Sequence, residues 1–136
     1  MAFRKKVRIY FDQGDPAHIA FHGQHTIIIQ RAMEEYVESL GIPWEEWYDN
    51  KELFLPVVQF NIQFKKPLYP GKEYWVDVQF VHIGRSSLKT EGQIFTLQGE
   101  EKCCAISTAY VCVNSDDFKS RPFPKHWVPL LKAALP

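Results

Sequence analysis

Asp15 and the residues after it form the set in this chain best placed to do chemistry. The stretch reads Asp12-Gln13-Gly14-Asp15-Pro16-Ala17-His18-Ile19-Ala20-Phe21-His22-Gly23. It follows an alternating run, Val7-Arg8-Ile9-Tyr10-Phe11, and precedes a long amphipathic pattern. Asp15 therefore stands on a loop between a strand end and a helix start. A helix start offers unpaired N–H groups and a partial positive charge. A carboxylate facing such a platform suits attack on a carbonyl, so acyl transfer is the first chemistry to consider. Asp is also common before helices and beside turn prolines, where it caps or forms an Asx turn.

Two other groups of residues invite a chemical reading. His18, His22 and His25 are spaced by four and three, with Asp12 and Asp15 nearby. On one continuous helix the three imidazoles would share a face and suit zinc or iron. Pro16 and the surrounding turn residues instead favour a loop over residues 15–21, which makes them polar groups lining a pocket. Lys119, Arg121 and Lys125 form a basic segment able to meet nucleotide phosphates; a solvated charged face is the plainer alternative. Trp44, Trp47 and Tyr48 can lid an acyl pocket, or simply pack a core or an interface.

The elements that must position these groups follow from hydropathy. A first strand covers about residues 3–11. A helix follows over about 23–40, where Ile28, Ile29, Ala32, Met33, Tyr36, Val37 and Leu40 step by three and four into one wide apolar stripe. Gly41 and Pro43 stop it, and residues 44–50 suit a short extra turn. Val58, Phe60, Ile62 and Phe64 alternate with polar residues across a strand over 55–65. Residues 67–71 are a turn; 74–83 alternate again; 84–87 break the run; 88–97 and 103–113 are two further strands. The proline-containing tail ends in a short helix. Four consecutive strands with hairpin-scale connections imply an antiparallel sheet, against which the one broad helix must lie. The expected architecture is α+β, about five antiparallel strands curved around a central helix. Its long open edges favour pairing with a second copy.

Bulk composition narrows the function classes. The 136 residues suit one domain over 1–136 with a real core. Sixteen basic and sixteen acidic residues cancel, against the positive surface of a nucleic-acid binder. Three cysteines, with Cys103 and Cys104 adjacent and no C-x-x-C pair, read as reduced packing residues. No apolar run is long enough for a bilayer span, and none follows the basic N-terminus as a secretory signal requires. The expected location is cytoplasmic, without membrane association.

Over nearly its whole length the chain resembles the hotdog-fold acyl-CoA thioesterases of the 4-hydroxybenzoyl-CoA thioesterase family. The family's opening segment, F-x-D-[TC]-D-x-x-G-x-V-[YW]-[HY], is matched by Phe11 to His22. Pro56, the Gly84-Arg85-Ser86-Ser87 turn, and Pro122-Phe123-Pro124 after Asp116-Asp117 match further family features. Gln13, Gly14, His18 and His25 depart from the pattern. The resemblance implies that Asp15 is the catalytic carboxylate, acting as nucleophile or as base on a water. Backbone N–H groups near His22 and Gly23 would hold the oxyanion; Gly23 would either let the acyl group approach or merely ease the start of the helix. Ser86 and Ser87 would meet the thioester or pantetheine arm and Arg85 the CoA phosphates, with Lys119 and Arg121 as further phosphate contacts. The expected substrate is an acyl-CoA, with no metal and no cofactor. The active site would lie between the subunits of a homodimer or homotetramer. The alternatives are a hotdog module that binds acyl-CoA or acyl-carrier thioesters without turnover, and the His/Asp metal protein.

Overall fold

The computed structural model describes residues 2–136. Strand β1 (Phe3–Arg8) leads through a 3-10 turn (Phe11–Gln13) and a loop into helix α1 (Gly23–Ser39) and short helix α2 (Trp44–Tyr48). Then follow β2 (Leu53–Phe54), β3 (Val57–Phe64), β4 (Glu73–Ile83), β5 (Ser87–Thr96), β6 (Lys102–Val111), β7 (Val113–Asn114) and α3 (Trp127–Ala133). The expected helix and long strands are all present, with ends shifted by a few residues. Strand β1 ends three residues before Phe11, because Gln13 turns the chain: its side-chain oxygen accepts the Tyr10 N–H at 2.7 Å.

Five strands form an antiparallel sheet in the order β1-β4-β5-β6-β3, and β2 pairs with β7 in a small second sheet. The hairpin expectation holds for β4-β5-β6 but fails for β3 and β4. Strand β3 pairs with β6, so residues 65–72 carry the chain from one side of the sheet to the other. The crossover is anchored: Lys65 and Lys66 N–H groups donate to the Cys103 carbonyl, and Leu68 is fully buried. It also supports the Asp15 loop, since Ala20 N–H donates to the Leu68 carbonyl at 2.7 Å.

Alternation in β4 puts Tyr74, Val76, Val78 and Phe80 on the inner face, each at most 3% exposed. The α1 stripe of Ile28, Ile29, Ala32, Met33, Tyr36 and Val37 covers that face. Rings of Phe3, Tyr36 and Phe80 stack in series at 5.4 and 5.3 Å. Gly41, at φ +96°, ends α1 in the left-handed region where a Cβ is costly. All three cysteines are free and buried, and burial raises each thiol's pKa, to about 11 for Cys104. No helix among the described residues is long and apolar enough to cross a membrane.

Strand β3 departs from the alternating-core expectation. Val57, Val58, Phe60 and Phe64 are 44–63% exposed, and among the described residues only one edge of the strand has a partner. An unpaired row of backbone donors and acceptors, dressed with apolar side chains, is a template for a further strand.

Candidate active site

The Asp15 loop is a tight excursion. Gly14 and Ala20 form an isolated antiparallel bridge, Asp15 N–H donates to the Ile19 carbonyl at 2.9 Å, and His18 N–H donates to the Asp15 carbonyl at 2.9 Å. His18 closes the turn at φ +64°. This is the position where the family pattern has glycine, and a left-handed backbone is the physical reason for it. Asp15 does form an Asx turn, with Oδ1 accepting the Ala17 N–H at 2.8 Å. Its other carboxylate oxygen has no partner among the described residues.

Gln13, in place of the family's first aspartate, is a buried strut. Its Nε2 donates to Gln24 Oε1 at 3.1 Å, and its carbonyl accepts the Phe21 N–H at 2.8 Å. The loop is thereby tied to the first turn of α1. The N–H groups of His22 and Gly23 find no backbone acceptor among the described residues, as the geometry of a helix start requires. A Cβ on Gly23 would lie 2.9 Å from the Phe21 ring, so this glycine makes room for Phe21 over the helix start.

Asp15 and His22 open onto one cleft of about 470 Å³, walled by Ile19, His25, Phe64 and Pro67 with Lys65 and Lys66 at its side. His25 is 3% exposed, packs edge-on against Phe64 at 4.9 Å, and has its ring Nδ1 3.2 Å from the His22 carbonyl. Burial lowers its pKa, against the opposing pull of the His22 and Phe21 carbonyls. The three histidines thus serve different ends: His18 is exposed in the turn, His22 lies against Phe21 at 4.3 Å, and His25 is a wall. Among the described residues no three His, Cys, Asp or Glu side chains converge as a metal requires. The wall formed by β3 was missed from sequence, because Phe64 reads there as one more inward position of an alternating strand.

The remaining sequence candidates gather elsewhere. Strand β4 starts beside the crossover and runs for 11 residues, about 35 Å at ~3.3 Å per residue, before reaching the turn at 84–87. Arg85, Ser86 and Ser87 therefore lie at the opposite end of the sheet from Asp15. There the Ser86 carbonyl accepts Cys112 N–H at 2.7 Å, and the Arg85 carbonyl accepts Phe123 N–H at 3.2 Å. The same segment carries exposed Lys119 and half-buried Arg121, so the five proposed CoA contacts do share one end.

At that end a second cavity of about 320 Å³ opens between α1, α2 and the sheet, bounded by Met33, Tyr48, Val57, Phe80, Leu88 and Tyr110. The aromatics after α1 divide their duties. Tyr48 and Trp47 line this cavity, and burial raises the Tyr48 phenol's pKa. Trp47 also stacks on buried Trp127 at 4.9 Å, whose Nε1 donates to Glu46 Oε1 at 2.9 Å. Trp44 lies on the surface and donates to Glu34.

Residues 14–135 match the thioesterase-like superfamily. A 1,4-dihydroxy-2-naphthoyl-CoA hydrolase of Trichodesmium erythraeum is 23% identical over 122 residues, covering 89% of this chain and 88% of that protein. Among solved structures, a 1,4-dihydroxy-2-naphthoyl-CoA thioesterase from Synechocystis superposes with TM-score 0.89 at 18% identity, over 97% of this chain and 96% of that one. A DHNA-CoA thioesterase from Staphylococcus aureus gives 0.86 at 18% identity, over 97% and 89%. The shared architecture is the hotdog fold.

Proposed function

Because the chain belongs to the thioesterase-like superfamily, we propose that it hydrolyses an acyl-CoA to a carboxylic acid and free CoA. Asp15 is the nucleophile or the general base, and the N–H groups of His22 and Gly23 polarise the thioester carbonyl. The observation that carries this reading is the cleft shared by Asp15 and His22 at the start of α1, with one carboxylate oxygen left without a partner among the described residues. The dihydroxynaphthoyl-CoA hydrolases among its relatives support CoA thioesters as the substrate class.

Completing the site takes two copies of the chain. If two β3 edges pair antiparallel about a twofold axis, the Phe64 end of one lies beside the Val57 end of the other. Val57 pairs with Tyr110, Tyr110 with Leu88, and Leu88 with Ile83, so all four strand ends share that side. The partner's turn at 84–87, its Lys119 and Arg121, and its 320 Å³ cavity then face Asp15 across the interface. The exposed apolar side chains of β3 supply the contact. One protomer contributes the acid and the helix start; its partner contributes the acyl cavity and the CoA contacts.

Thiol release from a panel of acyl-CoAs, with Asp15→Asn beside the native chain, tests the assignment. Asn keeps an oxygen for the Ala17 N–H, so the loop persists while the acid is lost. A drop of at least ~10²-fold is expected. Binding of acyl-CoA without thiol release from any thioester would overturn the hydrolase reading, and equal rates in Asp15→Asn would overturn the role of Asp15.

A further inference from the structure

The turn between β4 and β5 contains a built side-chain pair whose histidine the hydrolase reading above does not use. Along β4 the even-numbered residues from Tyr74 to Phe80 face the helix and are buried. His82 continues that parity, so an unbroken strand would drive its imidazole into the core. A bulge intervenes: Phe80 pairs with Thr90, His82 with Lys89 and Ile83 with Leu88, leaving Val81 as the extra residue. The bulge returns Ile83 to the inner face opposite buried Leu88 and turns His82 to the outer face beside exposed Lys89.

On that face His82 Nε2 lies 3.3 Å from Ser87 Oγ, across the turn. Gly84 makes the approach possible. A Cβ there would lie 2.3 Å from Ser87 Oγ and 3.3 Å from His82 Nε2. The backbone beneath is held by the Gly84 N–H donating to the Ser87 carbonyl at 2.8 Å and by the Cys112 and Phe123 bonds to Ser86 and Arg85. Bulge, missing Cβ and braced turn all serve one contact. Apart from His82, the Ser87 hydroxyl has no partner among the described residues.

We propose that His82 is a positioning residue for CoA: it takes the Ser87 hydroxyl proton in a hydrogen bond, turning the Oγ lone pairs outward to accept an amide N–H of the pantetheine arm. The proposal rests on the two-copy hydrolase site above. Ser87 heads β5, two strands or about 10 Å in from the β3 edge. The pantetheine arm is extended and bears two amide N–H groups, so it can span from a carbonyl at the partner's Asp15 to this turn. A free hydroxyl rotates among several orientations; fixing the rotor in advance lowers the ordering cost of binding.

Calorimetric binding of CoA itself tests this independently of turnover. One oriented hydrogen bond is worth about a fivefold to tenfold change in Kd, so His82→Ala is expected to weaken CoA by that factor. Ser87→Ala should do the same, and the double variant should be no worse than either single. His82→Gln, which keeps an acceptor, should recover most of the loss. In thiol release the His82→Ala loss should fall on KM with kcat unchanged. It should vanish on an ethyl thioester of the same acid, which has no amide. Additive losses, no loss in either single variant, or an equal loss on the ethyl thioester would each overturn the proposal. Native turnover that depends on Asp15 would leave the hydrolase reading intact in all of those cases. Failure of turnover alone would leave the CoA binding series to decide the role of His82.

Discussion

Gly92 lies at the middle of β5, directly under Ile29 of α1. A Cβ at this position would be 2.5 Å from Ile29 Cγ2, 2.8 Å from Cδ1 and 3.3 Å from Cγ1. Non-bonded carbons settle at about 3.5–4.0 Å, so Gly92→Ala demands a shift of roughly 1 Å. Ile29 is buried, and a β-branched side chain in a helix has one strongly preferred χ1, so the helix must lift. Overpacking of this kind costs about 1–3 kcal/mol. The lower chain entropy of Ala in the unfolded state offsets about 0.4–1 kcal/mol. The expected net loss is about 0.5–2 kcal/mol, or a Tm lower by roughly 2–8 °C in a chain of this size. The same lift displaces the N–H groups of His22 and Gly23 relative to Asp15 and Phe64. A misplacement of about 1 Å can cost ~10²-fold in rate, so thiol release, assayed well below both melting transitions, should fall more than stability does. Ile29→Ala removes all three crowded atoms. In the Gly92→Ala background it should cost at least 1 kcal/mol less than it does alone. A Gly92→Ala chain that melts at or above the native temperature with full activity, or strictly additive energies in the cycle, would refute the idea that this close approach sets the height of α1.

Three further outcomes follow from the same geometry. Val58→Lys places a charge on the exposed β3 edge, 63% exposed in the single chain; sedimentation should show monomers, and activity should be lost while the melt of the monomer stays cooperative. His18→Gly relieves a left-handed backbone at φ +64°; denaturant melts should show a gain of about 0.5–1 kcal/mol with thiol release unchanged. The folded-state pKa of His25 is lowered chiefly by burial, so the unfolded chain takes up a proton that the folded chain refuses. Stability from this group is complete above about pH 7 and declines as pH falls through the ordinary imidazole value of about 6.5. Denaturant melts at pH 8 and pH 5.5 should therefore differ more for the native chain than for His25→Phe, which keeps a ring against Phe64.

Much of this protein is legible in its sequence because the signals are local. The 3.6-residue stripe from Ile28 to Val37 requires a half-buried helix, and Gly41 ends it for a backbone reason that no neighbour alters. The alternation from Tyr74 to Phe80 requires a strand with one inner face. Asp15, Pro16 and the turn residues around them define the loop before the helix. Each of these follows from the backbone preferences and side-chain spacing of a few adjacent residues.

The remaining features depend on which strands become neighbours. Phe60 and Phe64 alternate like Val76 and Val78, yet β3 pairs with β6 instead of β4 and so becomes an edge. Pairing order is set by contacts between residues distant in sequence, which a periodicity of two cannot encode. The same pairing separates Asp15 from the turn at 84–87 within one chain and brings Phe64 and His25 to the acid's cleft. One inserted residue in β4 then reverses the face of His82 and brings it onto Ser87, a contact written in sequence only as a histidine, a glycine and a serine. The elements and the acid beside the helix start are local properties of the chain; the order of the strands sets which residues that acid meets.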